Sequence, residues 1–182
     1  AETLGLHCAI VLDIYEKENL NKISSINELT NQLAKHISFI DEGTLSEAEI
    51  IICQMEVKEE ETFKLFKRAK ENNCTTILNL APYKKIRTEI LTLTDILIVN
   101  EAEFSELTGI ELNLINEGLN KDAVNYPELL KSIDLIVTLG KRGVLIFSKE
   151  NKTFIAGEKV KAIDTVGAGD CFVGALSYGI LN

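Results

Sequence analysis

No run in this sequence is apolar over the length of about 20 residues that a membrane helix needs. None is rich in lysine or arginine either. With 28 acidic and 19 basic residues the formal charge is −9, so the surface repels phosphate backbones and nucleic-acid binding is disfavoured. Histidine occurs twice, at His7 and His36, and matches no motif. The four cysteines, Cys8, Cys53, Cys74 and Cys171, are scattered with no C-x-x-C pair. Three of them sit in apolar segments and are read as reduced core residues, not disulfides or zinc ligands. There are two prolines and no internal repeat, low-complexity tract or linker. The chain, 46% hydrophobic and 26% charged over 182 residues, is therefore treated as one globular α/β unit spanning 1–182. Its first residues lack an initiator Met and the basic end and apolar centre of a secretory signal. The expectation is a cytosolic chain that is a processed product or a fragment.

Apolar runs alternate with helical periods. Strands are expected at 8–14, 49–53, 75–79, 96–100, 134–139 and 144–148, with a further short one at 153–155. Helices are expected at 27–40, with Leu29, Leu33 and Ile37 on one face; at 58–73; at 101–107, closed by Gly109 as a left-handed cap; at 122–131; and at 168–181. The acidic start Glu59–Glu61 suits a positive helix end and is most simply a solvated face. This alternation predicts a mostly parallel central sheet with helices on both faces and an antiparallel run near the end. Ligands in such folds bind where the strands end. Gln54-Met-Glu56, Asn79-Leu-Ala-Pro82, Asn100-Glu-Ala-Glu103 and Thr138-Leu-Gly140 all lie at predicted strand ends and should share one rim.

The chemistry concentrates in Asp164-Thr-Val-Gly167-Ala168-Gly169-Asp170. Glycines admit a ligand close to the backbone, and the free N–H groups at a helix mouth favour phosphate oxygens. The amides of Gly167, Ala168 and Gly169 thus form a candidate anion hole for a transferring phosphoryl group. Asp170, in the first helical turn, can accept a proton from an attacking hydroxyl. On these residues alone, a phosphate cradle and an ordinary helix end with a capping Asp fit equally well. The Walker pattern G-x-x-x-x-G-K-[ST] is absent, and Gly167, Gly169 and Gly174 do not space as G-x-G-x-x-G.

The longer stretch from Glu158 to Leu176 resembles the C-terminal signature of the ribokinase (PfkB-type) carbohydrate kinases, the eukaryotic ribokinases in particular. That resemblance implies a ribokinase-like fold and ATP-dependent phosphorylation of a sugar primary hydroxyl, D-ribose to D-ribose 5-phosphate, with Asp170 as general base. Asn100–Glu103 resembles the family's N-x-x-E element, which implies that Asn100 contacts ATP and that Glu103 organises Mg²⁺ through water. Thr138-Leu-Gly140-Lys141-Arg142-Gly143 resembles its T-L-G-x-x-G nucleotide loop. Gln54-Met-Glu56 resembles Q-L-E, implying that Glu56 contacts the sugar. Gly169 and Asp170 are implied to face ATP, and Asp170 the sugar hydroxyl as well. Asp164 and the Val166 carbonyl match positions that hold a monovalent cation, K⁺. Asn79–Pro82 resembles N-P-A-P, with Leu80 replacing the first proline.

The resemblance covers nearly all of this chain but leaves the family's N-terminal sugar-binding motif, most of its β-sheet lid and its extreme C-terminus outside it. Weak or no turnover by the chain alone is expected. A fructokinase, a nucleoside kinase or a non-catalytic nucleotide-binding fragment are the alternatives. The implied location is cytoplasmic, with the nucleus as a second site, and the implied assembly of the full-length parent is a homodimer.

Overall fold

The computed structural model describes residues 8–10 (backbone), 40–111, 128–149, 151–161, 165 and 167–182. They build a seven-stranded sheet whose strands follow sequence order: β1 (Cys8–Ile10), β2 (Ile50–Gln54), β3 (Thr75–Asn79), β4 (Ile96–Asn100), β5 (Asp134–Thr138), β6 (Gly143–Ser148) and β7 (Asn151–Ala156). The first five are parallel, and β5–β6–β7 form an antiparallel meander.

Right-handed crossovers that always advance to the next strand leave their helices on one face. That face carries α1 (Glu42–Glu47), α2 (Glu59–Glu71), α3 (Thr88–Thr92) and α4 (Glu101–Thr108). Strand alternation turns Ile51, Cys53, Leu78, Leu97, Val99 and Val137 towards them, where they meet Phe66 of α2 and Phe104 of α4. Both phenylalanines are fully buried, and truncating either would cost about 3–5 kcal/mol. The alternate residues, Ile50, Ile77, Ile98 and Ile136, face the last helix, α5 (Ala168–Leu181), through Val173, Leu176 and Leu181. Helices therefore do cover both faces of a mostly parallel sheet, as expected.

Several elements differ from expectation. The part of 122–131 that is described is a 3-10 turn at Glu128–Ser132, not an α-helix; Pro127 stands just ahead of it, and a proline favours the start of a helical turn. The predicted helix at 27–40 and the rest of the first strand lie outside the described residues, as do Asp164, Val166 and both histidines. Glu59–Glu61 is more than a solvated face. Glu59 accepts the Arg87 backbone N–H at 2.6 Å, Glu60 pairs with the Arg87 guanidinium at 3.0 Å and Glu61 with Lys64 at 3.0 Å. Cys53 and Cys74 are buried and free, burial pushing the Cys53 thiol up to about 12, whereas Cys171 is exposed.

Candidate functional site

The strands change character at their last residue on the α5 face. Ile50 and Ile52 are followed by Gln54; Ile77 by Asn79; Ile96 and Ile98 by Asn100; Ile136 by Thr138. Register sets Gln54 beside Asn79 and Asn100 beside Thr138. A polar row thus crowns an isoleucine-rich surface. Helix α5 runs antiparallel to the parallel strands: Leu181 lines a cleft with Ile50 at their amino ends, and Gly169 meets the polar row at the other.

A pocket of about 240 Å³ opens there, lined by Asn79, Asn100, Glu103, Thr138, Gly169 and Phe172 among others. Asn100, Glu103, Thr138 and Gly169 are predicted site residues that the fold brings together. Asn79 was not predicted to act. It is 8% exposed, and its amide has no hydrogen-bond partner among the described residues. Gln54, expected on this rim as part of Gln54-Met-Glu56, carries no role in the sequence reading either. The signal for both was the period-two alternation of β2 and β3, which puts them on the same face as the glycine-rich helix mouth.

Asn100 and Glu103 form a capping box. Asn100 Oδ1 accepts from the Glu103 N–H at 2.9 Å, and Glu103 Oε2 accepts from the Asn100 N–H at 2.7 Å. The N-x-x-E spacing is therefore first a way to start α4, with Gly109 closing it in the left-handed region at φ 72°. Burial pushes the Glu103 carboxyl above its ordinary range, and the Asn100 N–H offsets this in part. One Glu103 oxygen remains for the pocket. No group of three or more potential ligands (His, Cys, Asp, Glu) gathers among the described residues. A single carboxylate beside amide and hydroxyl groups fits Mg²⁺, which keeps several waters and takes its remaining ligands from phosphates.

At the mouth of α5, Gly167 adopts φ 73° and nothing stands where its Cβ would lie. The Ala168 N–H donates to the Thr165 carbonyl at 3.2 Å, and the Gly167 carbonyl takes the Cys171 N–H at 2.9 Å. The amides of Gly169 and Asp170, at the second and third helical positions, have no such partner among the described residues. The Asp170 carboxylate does not cap its own helix. It accepts the Gln54 side-chain amide at 2.9 Å.

The turn Gly140–Arg142 is a 3-10 turn pinned from both sides. The Leu139 N–H donates to the Gly143 carbonyl at 2.9 Å and the Gly157 N–H to the Arg142 carbonyl at 3.0 Å. Arg142 is ion-paired with Glu101 at the start of α4, which links the turn to the helix that the capping box opens. Lys141 is exposed. Glu56, also exposed, lies two residues beyond Gln54 and does not line the pocket.

A model of the pfkB family of carbohydrate kinases matches residues 8–182. The ribokinase of Staphylococcus aureus (strain COL) is 39% identical over 128 residues, which are 70% of this chain and 41% of that protein. The ribokinase of Dictyostelium discoideum is 34% identical over 193 residues, 96% of this chain and 59% of that protein. Among solved structures, Arabidopsis thaliana ribokinase complexed with ribose and ATP superposes with a TM-score of 0.64 at 26% identity, covering 77% of this chain and 45% of that one. The chain thus spans about half the length of the curated relatives it matches.

Proposed function

The chain belongs to the pfkB family of carbohydrate kinases, and from that footing we propose that the full-length protein transfers the γ-phosphoryl group of ATP to the primary hydroxyl of D-ribose, giving D-ribose 5-phosphate and ADP. The observation that carries this reading is the position of Asp170. It stands in the first turn of α5, hydrogen-bonded to Gln54 at the end of β2 and next to Gly169, which lines the pocket with Asn100, Glu103 and Thr138.

In this reading the ribose hydroxyl oxygen attacks the γ-phosphorus as its proton passes to Asp170. The bond from phosphorus to the β-γ bridging oxygen breaks, and ADP leaves. The amides of Gly169 and Asp170 face the charge that builds on the phosphoryl oxygens, while Gly167 and Ala168 shape the cradle. Asn100, Thr138 and the Gly140-Lys141-Arg142-Gly143 turn receive the nucleotide, and Glu56 receives a sugar hydroxyl. Glu103 would hold Mg²⁺ through water, and the ion supplies neutralising charge at the phosphates. Asp164 and the Val166 carbonyl would hold K⁺. The same reading places the protein in the cytoplasm.

The test uses the full-length protein with ATP and Mg²⁺, offering ribose, fructose and adenosine in turn. Turnover on ribose is expected, and Asp170→Asn should cut it by about 10²–10⁴-fold while nucleotide binding persists. Turnover on adenosine alone would overturn the ribose assignment. Equal loss of binding and turnover in Asp170→Asn would make Asp170 a structural residue.

A further inference from the structure

We propose that Gln54 is a positioning residue for Asp170: its side-chain amide fixes the carboxylate in the orientation that receives the sugar hydroxyl proton. This rests on the kinase reading above, in which Asp170 is the base.

The two residues are 116 positions apart and meet through the sheet's geometry. Alternation along β2 sends Ile50, Ile52 and Gln54 to the α5 face, and α5 runs back over that face to bring its amino end above the strand's last residue. Gln54 Nε2 lies 2.9 Å from Asp170 Oδ1. A carboxylate can only accept, so the contact also fixes which end of the Gln54 amide faces it. One Asp170 oxygen is thereby held, leaving Oδ2 for the hydroxyl proton.

An aspartate in the first turn of a helix has a competing use, since its side chain can bond the free backbone amides beside it. Asp170 takes none of them among the described residues. The Gln54 contact removes the carboxylate from that role, so among the described residues the Gly169 and Asp170 amides keep no partner that would compete with an anion.

Gln54 can act as a fixed reference because its own segment is clamped. Its backbone is in register with Asn79 of β3. The next residue, Met55, donates its N–H to the Ala81 carbonyl at 3.1 Å and accepts Lys84 Nζ on its own carbonyl at 2.7 Å. The Met55 side chain is 2% exposed. Asp170 itself is exposed, so an isolated hydrogen bond there adds little to folding. Its consequence is for orientation, to which rate is far more sensitive than stability.

The test compares Gln54→Leu, Gln54→Glu, Asp170→Asn and the Gln54→Leu/Asp170→Asn pair in the full-length protein, with ATP, Mg²⁺ and ribose. Gln54→Leu should lower kcat roughly 10- to 100-fold with the KM for ATP and the unfolding midpoint essentially unchanged. Gln54→Glu should be slower still, because it sets a second carboxylate against the first. In the Asp170→Asn background, Gln54→Leu should cost nothing further, since the group it positions is already disabled. Gln54→Leu at wild-type kcat, a loss that falls equally on KM and the unfolding midpoint, or full additivity in the pair would each overturn the proposal. If Asp170→Asn itself turned over normally, the reading of the base would fail first, and that outcome is distinct from the others.

Discussion

Asn100 and Glu103 satisfy each other's backbone: each side chain accepts the other residue's N–H, at 2.9 and 2.7 Å. The consequence is a carboxylate that opens a helix and lines a pocket at the same time. Burial raises the Glu103 carboxyl above its ordinary range. A raised value means that the folded state prefers the protonated form, so relative stability is greatest in acid and is lost as the pH climbs through the folded value. Glu103→Gln keeps an acceptor for the Asn100 N–H and removes the charge. The variant should unfold at a higher temperature than wild type at pH 7, with the gap closing in acid, while turnover at fixed Mg²⁺ falls at least about tenfold. Thermal unfolding at two pH values and a Mg²⁺ titration of the rate check both halves.

Packing alone requires a glycine at position 143. Its φ is 114°, and a Cβ there would lie 2.0 Å from the Ile155 carbonyl oxygen. Gly143→Ala must therefore separate β6 from β7 or displace the turn that carries Lys141 and Arg142. The expected loss is about 1–3 kcal/mol for the backbone strain, with overpacking adding about as much again. Gly140→Ala meets no atom within 4 Å and should cost less, only the penalty of its φ of 56°. Denaturant unfolding of the two variants side by side separates the contributions.

The strands at Thr75–Asn79 and Ile96–Asn100 and the helix at Ala168–Leu181 carry enough period and punctuation to be read directly from sequence. Helices α1 and α3 do not, being six and five residues long, too short to complete two turns of a pattern. What fixes α1 is a local cap, Asp41 accepting the Thr44 N–H at 2.8 Å, together with a long-range contact, Arg68 of α2 donating to the Ile40 carbonyl at 2.5 Å. The site divides along the same line. Asn100–Glu103 and Gly167–Asp170 are legible because each lies within one turn of chain. The meeting of Gln54 with Asp170 depends on strand order and helix direction, which no local window contains.

At the amino-end rim, Asp95 ties three elements together. It pairs with Lys70 of α2, and its carboxylate accepts the Thr76 N–H at 2.8 Å and the Thr76 hydroxyl at 3.0 Å. Burial pushes its carboxyl up, but Lys70 and the Thr76 donors together outweigh that, so the net shift is downward. A lowered value means stability that is present above the ordinary aspartate value and lost as the pH falls through the folded one. Asp95→Asn should therefore cost about 1 kcal/mol at neutral pH, a figure kept low by the partial exposure of the pair. The deficit should disappear in strong acid. A constant deficit from pH 7 down to pH 2 would show that the carboxylate's charge is irrelevant to this corner.

Thr62 gives the opposite kind of prediction, a residue whose replacement strengthens the fold. It is fully buried in α2, and its hydroxyl has no hydrogen-bond partner among the described residues. A hydroxyl taken out of water without a partner costs about 1–3 kcal/mol. Thr62→Val keeps the branched shape and similar helix propensity while removing that cost. The variant should gain about 1 kcal/mol in denaturant unfolding, with an unchanged dependence on denaturant concentration. Thr62→Ser is the control: it retains the buried hydroxyl and deletes a packed methyl, so it should lose about 1 kcal/mol. If serine were tolerated and valine were not, the hydroxyl must be satisfied in solution, and α2 would pack against β2 and β3 differently from the arrangement described.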